Sequence, residues 1–133
     1  MDAFMELFST RGRANRAWYF WHVLLDDLVI LGLLVALMVM GAAIGSPAII
    51  LPIVGVILAG TWAAVAITVK RFHDIDRPGW HFLLFLVPLY NVYLGLVLVF
   101  QKGTPGPNRF GRDPLQVAGA HALAAGVAPS MVE

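Results

Sequence analysis

The sequence predicts an all-α membrane protein: three hydrophobic helices, the third kinked or re-entrant, preceded by an N-terminal interfacial segment. Three observations carry that prediction. Of 133 residues, 59% are hydrophobic and 13% charged; a soluble domain has ~25% charged residues to cover its surface. The apolar residues fall into three uncharged runs, 28–45, 48–69 and 82–100, each near or above the ~18–20 residues a helix needs to cross ~30 Å of hydrocarbon. None alternates with a period of two, which leaves helices rather than barrel strands. The length allows one domain.

The same composition excludes several function classes. A net charge of +1 provides no basic face for nucleic acid. With no cysteine, disulfides, thiolate metal sites and thiol nucleophiles are ruled out.

Residues 1–22 read as interfacial. Phe4, Met5, Leu7 and Phe8 share one helical face, with Asp2 and Glu6 elsewhere, so this turn suits the headgroup plane. Ser9 or Thr10 offers a cap for the helix that follows. Arg11, Arg13 and Arg16 then precede Trp18, Tyr19 and Trp21, cations followed by aromatics as at a cytoplasmic boundary. The first apolar run begins late and is long, so it reads as a retained anchor rather than a cleaved signal peptide.

The first helix is predicted over 23–45, with Asp26 and Asp27 about one turn inside it. A short uncharged "GSPA" turn leads into a helix over 48–69, with Pro47 near its first position. Lys70 and Arg71 open a cytoplasmic polar link, 70–81, in which Asp76, Arg77, Pro78 and Gly79 fit a β-turn with Gly79 at positive φ. The third helix, 82–100, is interrupted by Pro88 and Asn91. A Gly/Pro-rich loop occupies 101–114. The Ala-rich tail, 115–133, is too short to span and is expected to fray.

Two topologies are open. Three simple spans place six Lys and Arg inside (11, 13, 16, 70, 71, 77) and three outside (102, 109, 112), a bias that favours a cytoplasmic N-terminus. Alternatively the third run turns back at 88–91 and puts all nine inside, which needs non-helical backbone at depth under a cover of protein. A Pro kink is common in membrane helices, so the kinked single span is the simpler expectation.

Candidate chemistry is sparse. Carboxylates near hydrocarbon are costly, so Asp26 and Asp27 are expected to pair with Lys70 and Arg71 at the antiparallel end of the second helix; a proton relay is the alternative. His73 and Asp74 invite a metal-hydrolase reading, but only His22, His81 and His121 remain to assist, at no known metal-ligand spacing. Neither a metal nor a cofactor is therefore expected. Gly41 with Gly45, and Gly55 with Ala59, are small residues four apart that permit close helix packing, within the chain or between copies.

Three motifs together resemble one family: "FSTRGRANRAWY", "RFHDIDRPGWHFLLFLVP" and "GTPGPNRFGRDP". The resemblance, over residues 8–114, is to the YhaH-like family of small bacterial inner-membrane proteins, a domain family of unknown function. It falls on Arg11, Gly12, Arg13, Arg16 and Tyr19, then on Arg71, His73, Asp74 and Trp80, and last on Asn108, Arg109, Gly111, Asp113 and Pro114. Where members often carry Glu, Trp and Trp, this chain has Trp18, Phe20 and His81. The resemblance implies an inner-membrane location and no established activity.

All three motifs flank apolar runs and are rich in Arg, His, Asp and Asn. If they share one face, Arg11, Arg13, Arg16, Arg71, His73, Asp74, Asn108 and Arg109 form a boundary cluster. Such a cluster either clamps anionic lipid phosphate or locks the helices through internal salt bridges. The expected function is a non-catalytic binding or accessory component of the inner membrane, with lipids, another membrane protein or further copies of itself as partners. An oligomeric channel or transporter subunit is the alternative, and a hydrolase using His73 and Asp74 a more distant one.

Overall fold

The computed structural model describes residues 7–124 and Gly126; the expected face formed with Phe4 and Met5 lies outside the described residues. Helix α1 spans Arg16–Ile44, 29 residues, or ~43 Å. Asn15 begins it: its backbone is extended and its side-chain oxygen accepts a hydrogen bond from the Trp18 N–H at 2.8 Å. That cap places the start of the helix seven residues ahead of the predicted 23, inside the stretch read as interfacial, and Ser9 and Thr10 stand too early to cap it. The Trp18–Tyr19–Trp21 belt is consequently part of α1. Gly45, at φ 67°, ends the helix, its N–H donating to the Gly41 carbonyl; a β-carbon at this left-handed geometry would be strained.

The turn that follows is as short as expected. Ser46 caps a 3₁₀ turn at Pro47–Ile49, and α2 runs Ile50–Asp74. Both α1 and the stretch Pro47–Asp74 are long and apolar enough to cross a membrane. Of the four small residues singled out, Gly41 makes a close approach, since a β-carbon there would press on Ile49, whereas Gly55 faces open space. Gly45 serves as the cap, and Ala59 lines a groove against α1. Among the glycines, the closest approach between α1 and α2 is at Gly60, where a β-carbon would collide with Ile30.

The end of α2 corrects the predicted β-turn. Arg77 N–H donates to Phe72 O at 2.8 Å and Asp76 N–H to His73 O at 3.2 Å, closing a helix cap with Asp76 at φ 57°. Asp tolerates this left-handed position better than most residues. Gly79 does not take positive φ; it is needed because a β-carbon would strike Val69 and crowd His73.

The third run is a hairpin, which corrects the kinked single span. A 3₁₀ segment, Gly79–Leu86, leads to a break at Pro88 and Leu89, and α3 returns over Tyr90–Phe100. Eleven residues reach only ~16 Å, short of a crossing. Both ends lie at the foot of α2: Gly79 packs on Val69, while Leu98 and Gln101 carbonyls accept from Arg71. The physical reason is twofold. Pro88 supplies no N–H to continue a helix, and the Arg71 guanidinium holds the end of α3 beside the end of α2. The tip is not covered by the rest of the chain, Leu86 and Leu89 being 80% and 85% exposed. Its backbone is partly satisfied locally, Val87 N–H donating to Leu84 O and Asn91 N–H to Val87 O.

The start of α1, the end of α2 and the hairpin meet around Tyr19, Ile67, Phe72, Ile75, Leu94 and Leu98. After the expected irregular loop, residues placed in a fraying tail form a fourth helix, α4, Pro114–Ala124. Asp113 supplies the missing signal: its Oδ1 accepts from the Leu115 N–H at 2.9 Å, and Pro114 stands at the first helical position, where its lost N–H costs nothing.

Candidate functional site

The site is assembled where four segments converge: the chain just before α1, the last turn of α2, the end of α3 and the loop after it. Arg71, three residues before the end of α2, is completely buried. Its Nε donates to Leu98 O at 2.7 Å, Nη1 to Asp74 Oδ2 and to Ala14 O, and Nη2 to Gln101 O. Arg13 approaches Asp74 from the other side, with Nε 3.1 Å from Oδ1. Its Nη1 donates to Gly106 O at 2.7 Å and its Nη2 to Thr104 O at 2.6 Å. The side chains of Arg13, Arg71 and Asp74 are 1%, 0% and 3% exposed.

Two guanidiniums thus share one carboxylate, leaving one net positive charge in the interior. Main-chain carbonyls of Ala14, Leu98, Gln101, Thr104 and Gly106 take up the remaining N–H groups. A buried charge is tolerable only when it is paired and fully hydrogen-bonded, and among the described residues no buried side-chain nitrogen or oxygen is left without a partner. The loop can approach this closely because residue 103 is glycine; a β-carbon there would overlap the Asp74 carboxylate. Thr104 closes the contact, its N–H and hydroxyl both donating to Asp74 O, at 2.8 and 3.0 Å.

A second layer stands nearer the surface. Asn108 donates to His73 O at 2.8 Å and to Thr104 Oγ1 at 2.9 Å. The His73 ring lies flat on Phe110, centroids 3.9 Å apart, with Nδ1 3.1 Å from the Gly12 carbonyl. Arg109 pairs with Asp76 at 3.1 Å in the open, the two side chains 57% and 48% exposed, and covers Phe110 from 4.8 Å.

Of the predicted cluster, Arg13, Arg71, His73, Asp74, Asn108 and Arg109 meet in these layers. Arg11 stays exposed outside them. Arg16 faces instead a cavity of about 350 Å³, bounded by Lys102, Gly103, Thr104, Pro105, Asp74 and Asp113. Neither Arg16 nor Lys102 has a side-chain hydrogen bond or ion pair among the described residues. Asp113 has its oxygens engaged by Leu115 N–H and, at 3.0 Å, Gly106 N–H.

The expected pairing of Asp26 and Asp27 with Lys70 and Arg71 is not formed among the described residues. Because α1 begins at Arg16, the two carboxylates lie nearly three turns inside it rather than one. Lys70 is level with the first turn: Ala14 N–H donates to its carbonyl at 3.1 Å, and its ammonium lies 5.4 Å over the Trp18 ring. Eight residues of helix, ~12 Å, separate Trp18 from Asp26. Among the described residues no three His, Asp or Glu side chains are grouped to hold a metal.

Sequence reasoning missed Gly103 and Gly106, whose roles depend on backbone position, and Thr104, which acts through both its backbone and its hydroxyl. Asp113 was among the motif residues, but its two hydrogen bonds carry no signal in the sequence beyond the Asp-Pro pair that starts a helix.

Comparison with known proteins finds relatives over most of the chain. The family model described as "Protein of unknown function (DUF805)" matches residues 7–112, which includes all four converging segments. Inner membrane protein YhaH of Escherichia coli strain K12 is 40% identical over 120 residues, covering 86% of this chain and 97% of the relative. Inner membrane protein YhaI of the same strain is 33% identical over 105 residues, covering 77% and 83%. No solved structure matches. With two long apolar helices and relatives of this kind, the chain is a membrane protein, and it belongs to the DUF805 family of proteins of unknown function.

Proposed function

We propose that the chain works without catalysis of its own, as a binding component that holds anionic lipid headgroups at the cytoplasmic face of the inner membrane. The observation that carries this reading is the cavity beside Arg16 and Lys102. Arg13 and Arg71 spend their donors inside the protein, so they act as the lock of the platform rather than as its binding groups. Arg16 and Lys102 keep theirs, on a wall that the lock holds rigid. A guanidinium matches phosphate through paired hydrogen bonds, and each cation near an anionic leaflet contributes ~1 kcal/mol. His73, with its ring stacked and its Nδ1 engaged, is used in packing, which favours a non-catalytic role.

In this reading α1 and α2 both cross the membrane. The hairpin returns the loop to the platform, so all nine Lys and Arg lie on one side, the side the positive-inside rule makes cytoplasmic. A single Cys at Thr104 or Gln116 is then protected from an impermeant thiol reagent until cells are opened, whereas one at Ser46 labels at once; labelling of Thr104→Cys in intact cells would overturn the orientation. For the headgroup, native mass spectrometry of protein released from phosphatidylglycerol nanodiscs reads lipid retention. Loss of both cations in Arg16→Gln/Lys102→Gln is expected to lower retained phosphatidylglycerol about tenfold or more, from ~1 kcal/mol per cation. Equal retention by the double variant and the native chain would sink the proposal.

A further inference from the structure

Asp26 has no place in the platform, yet its surroundings are those of a ligand site. It lies ten residues into α1, ~15 Å from the start of the helix. A groove of about 300 Å³ runs here between α1 and α2, and Ala63 and Ile67 of the apolar run of α2 face it. Leu25, Val29, Leu33 and Val56 continue its apolar walls, and Leu7 and Phe8 line it as well, the Phe8 carbonyl accepting from Trp62 Nε1 at 3.1 Å. Two polar side chains line it, Asp26 and His22, one helical turn apart and therefore on one face. An apolar pocket of ~300–1,000 Å³ with a few converging polar groups is the usual form of a small-molecule site.

The polar pair is chemically one-sided. His22 Nδ1 lies 2.7 Å from the Trp18 carbonyl oxygen and the ring stacks on Trp18 with centroids 3.7 Å apart. The Trp18 carbonyl can only accept, so in the tautomer this bond selects Nδ1 carries the proton and Nε2 is an acceptor. The Asp26 carboxylate is also an acceptor, and it has no hydrogen bond or ion pair among the described residues. A carboxylate at such depth is costly unless a cation or donor meets it. Two acceptors without a donor, at the polar end of an apolar groove, match a ligand with a hydrocarbon tail and several N–H groups.

We infer that this groove binds a single-chain amphiphile with a protonated amine head. The chain lies along Leu25, Val29, Leu33 and Val56, and the ammonium donates to the Asp26 carboxylate and to His22 Nε2. The site is separate from the boundary cavity and does not depend on the headgroup proposal.

The test uses the full chain in phosphatidylcholine nanodiscs, titrated calorimetrically with dodecylamine against empty nanodiscs, with dodecanol as the uncharged probe. The expected result is saturable binding of the amine alone. It weakens at least tenfold in Asp26→Asn and is unchanged in Asp27→Asn, whose carboxylate lies off the groove. Asn preserves the shape of a side chain with no partner to lose. Ala59→Phe, which fills the groove and leaves the carboxylate, provides an independent loss of binding. Undiminished binding in Asp26→Asn, equal binding of dodecanol, an equal loss in Asp27→Asn, or a dimer held through this groove in place of amine binding would each overturn the inference.

Discussion

The two halves of α2 are one continuous helix in two different environments. From Ile50 to its middle none of its residues is buried, and Leu51 and Leu58 are 78% and 65% exposed. From Gly60 onward, nine residues are buried, including Lys70, Arg71 and Asp74. Among the described residues the first half lies beside α1 and the turn before it, and its large apolar side chains are mostly exposed. The second half is enclosed by other segments and carries most of the long-range polar contacts among the described residues. Apolar helices in a bilayer gain little from touching one another, because lipid solvates them equally well. Specific structure is therefore concentrated at the polar end, where unsatisfied donors leave the chain few alternatives.

The sharpest way to break that contrast is Arg71→Met. It removes the donors to Ala14, Leu98 and Gln101 and one of the two cations on Asp74, at a cost of about 3–5 kcal/mol for a broken buried pair. Thermal unfolding in detergent is expected to fall steeply. Arg71→Lys recovers little, since one ammonium cannot reach acceptors arrayed around a planar fork. A loss within about 1 kcal/mol of native would mean that the packed core around Phe72, not the network, fixes this end.

Gly103→Ala probes the same end through the backbone. The added methyl falls on the Asp74 carboxylate, so the 101–104 segment has to move out and lengthen the Thr104 bonds. Overpacking of this kind costs about 1–3 kcal/mol, and proteolysis of the loop is the direct readout. Unchanged protection would show that the loop is less tightly seated than the hydrogen bonds imply.

At the middle of α2, Gly60→Ala collides with a side chain rather than with a carboxylate. The helices can part slightly here without exposing a charge, so the expected loss is about 1 kcal/mol, the low end of overpacking. Ile30→Ala in the same chain should restore stability. Failure of that rescue would place the constraint in the backbone of α2 rather than in its contact with α1.

How much of this was legible follows the same division. The apolar halves of α1 and α2 are visible as uncharged runs, and the polar residues that meet are visible as motifs flanking those runs. The start of α1 is hidden because the Arg and aromatic residues of 11–22 read as an interfacial segment; the Asn15 cap, beside an Ala14 held to Lys70, puts Arg16 to Trp21 inside the helix. The hairpin is one of two solutions open to the sequence, and Arg71, by holding the Leu98 and Gln101 carbonyls, decides between them. Least legible was the division of labour among the arginines. Arg13 and Arg16 look alike in "RGRANR", yet one is consumed by Asp74, Thr104 and Gly106 while the other faces a cavity. Carbonyl acceptors decide this, and every residue has one.

The smallest effect is expected at the outer edge of the platform. Arg109 and Asp76 are joined by a salt bridge and by a 2.7 Å bond to the Asp76 carbonyl, but both side chains are half exposed. A surface pair contributes about 0–1 kcal/mol, so Arg109→Gln should shift the thermal midpoint only slightly and should lose even that shift in high salt, where exposed charges are screened. The residues beneath explain why so little depends on it. The left-handed turn at Asp76 is held by its own N–H on His73 O and by the Arg77 N–H on Phe72 O, and Asn108 secures the loop to His73 O without help from the ion pair. If Arg109→Gln instead destabilised as much as Gly103→Ala, the boundary between the locked interior and its wet surface would lie one layer farther out. Asp76 and Phe110 would then belong to the lock along with Asp74.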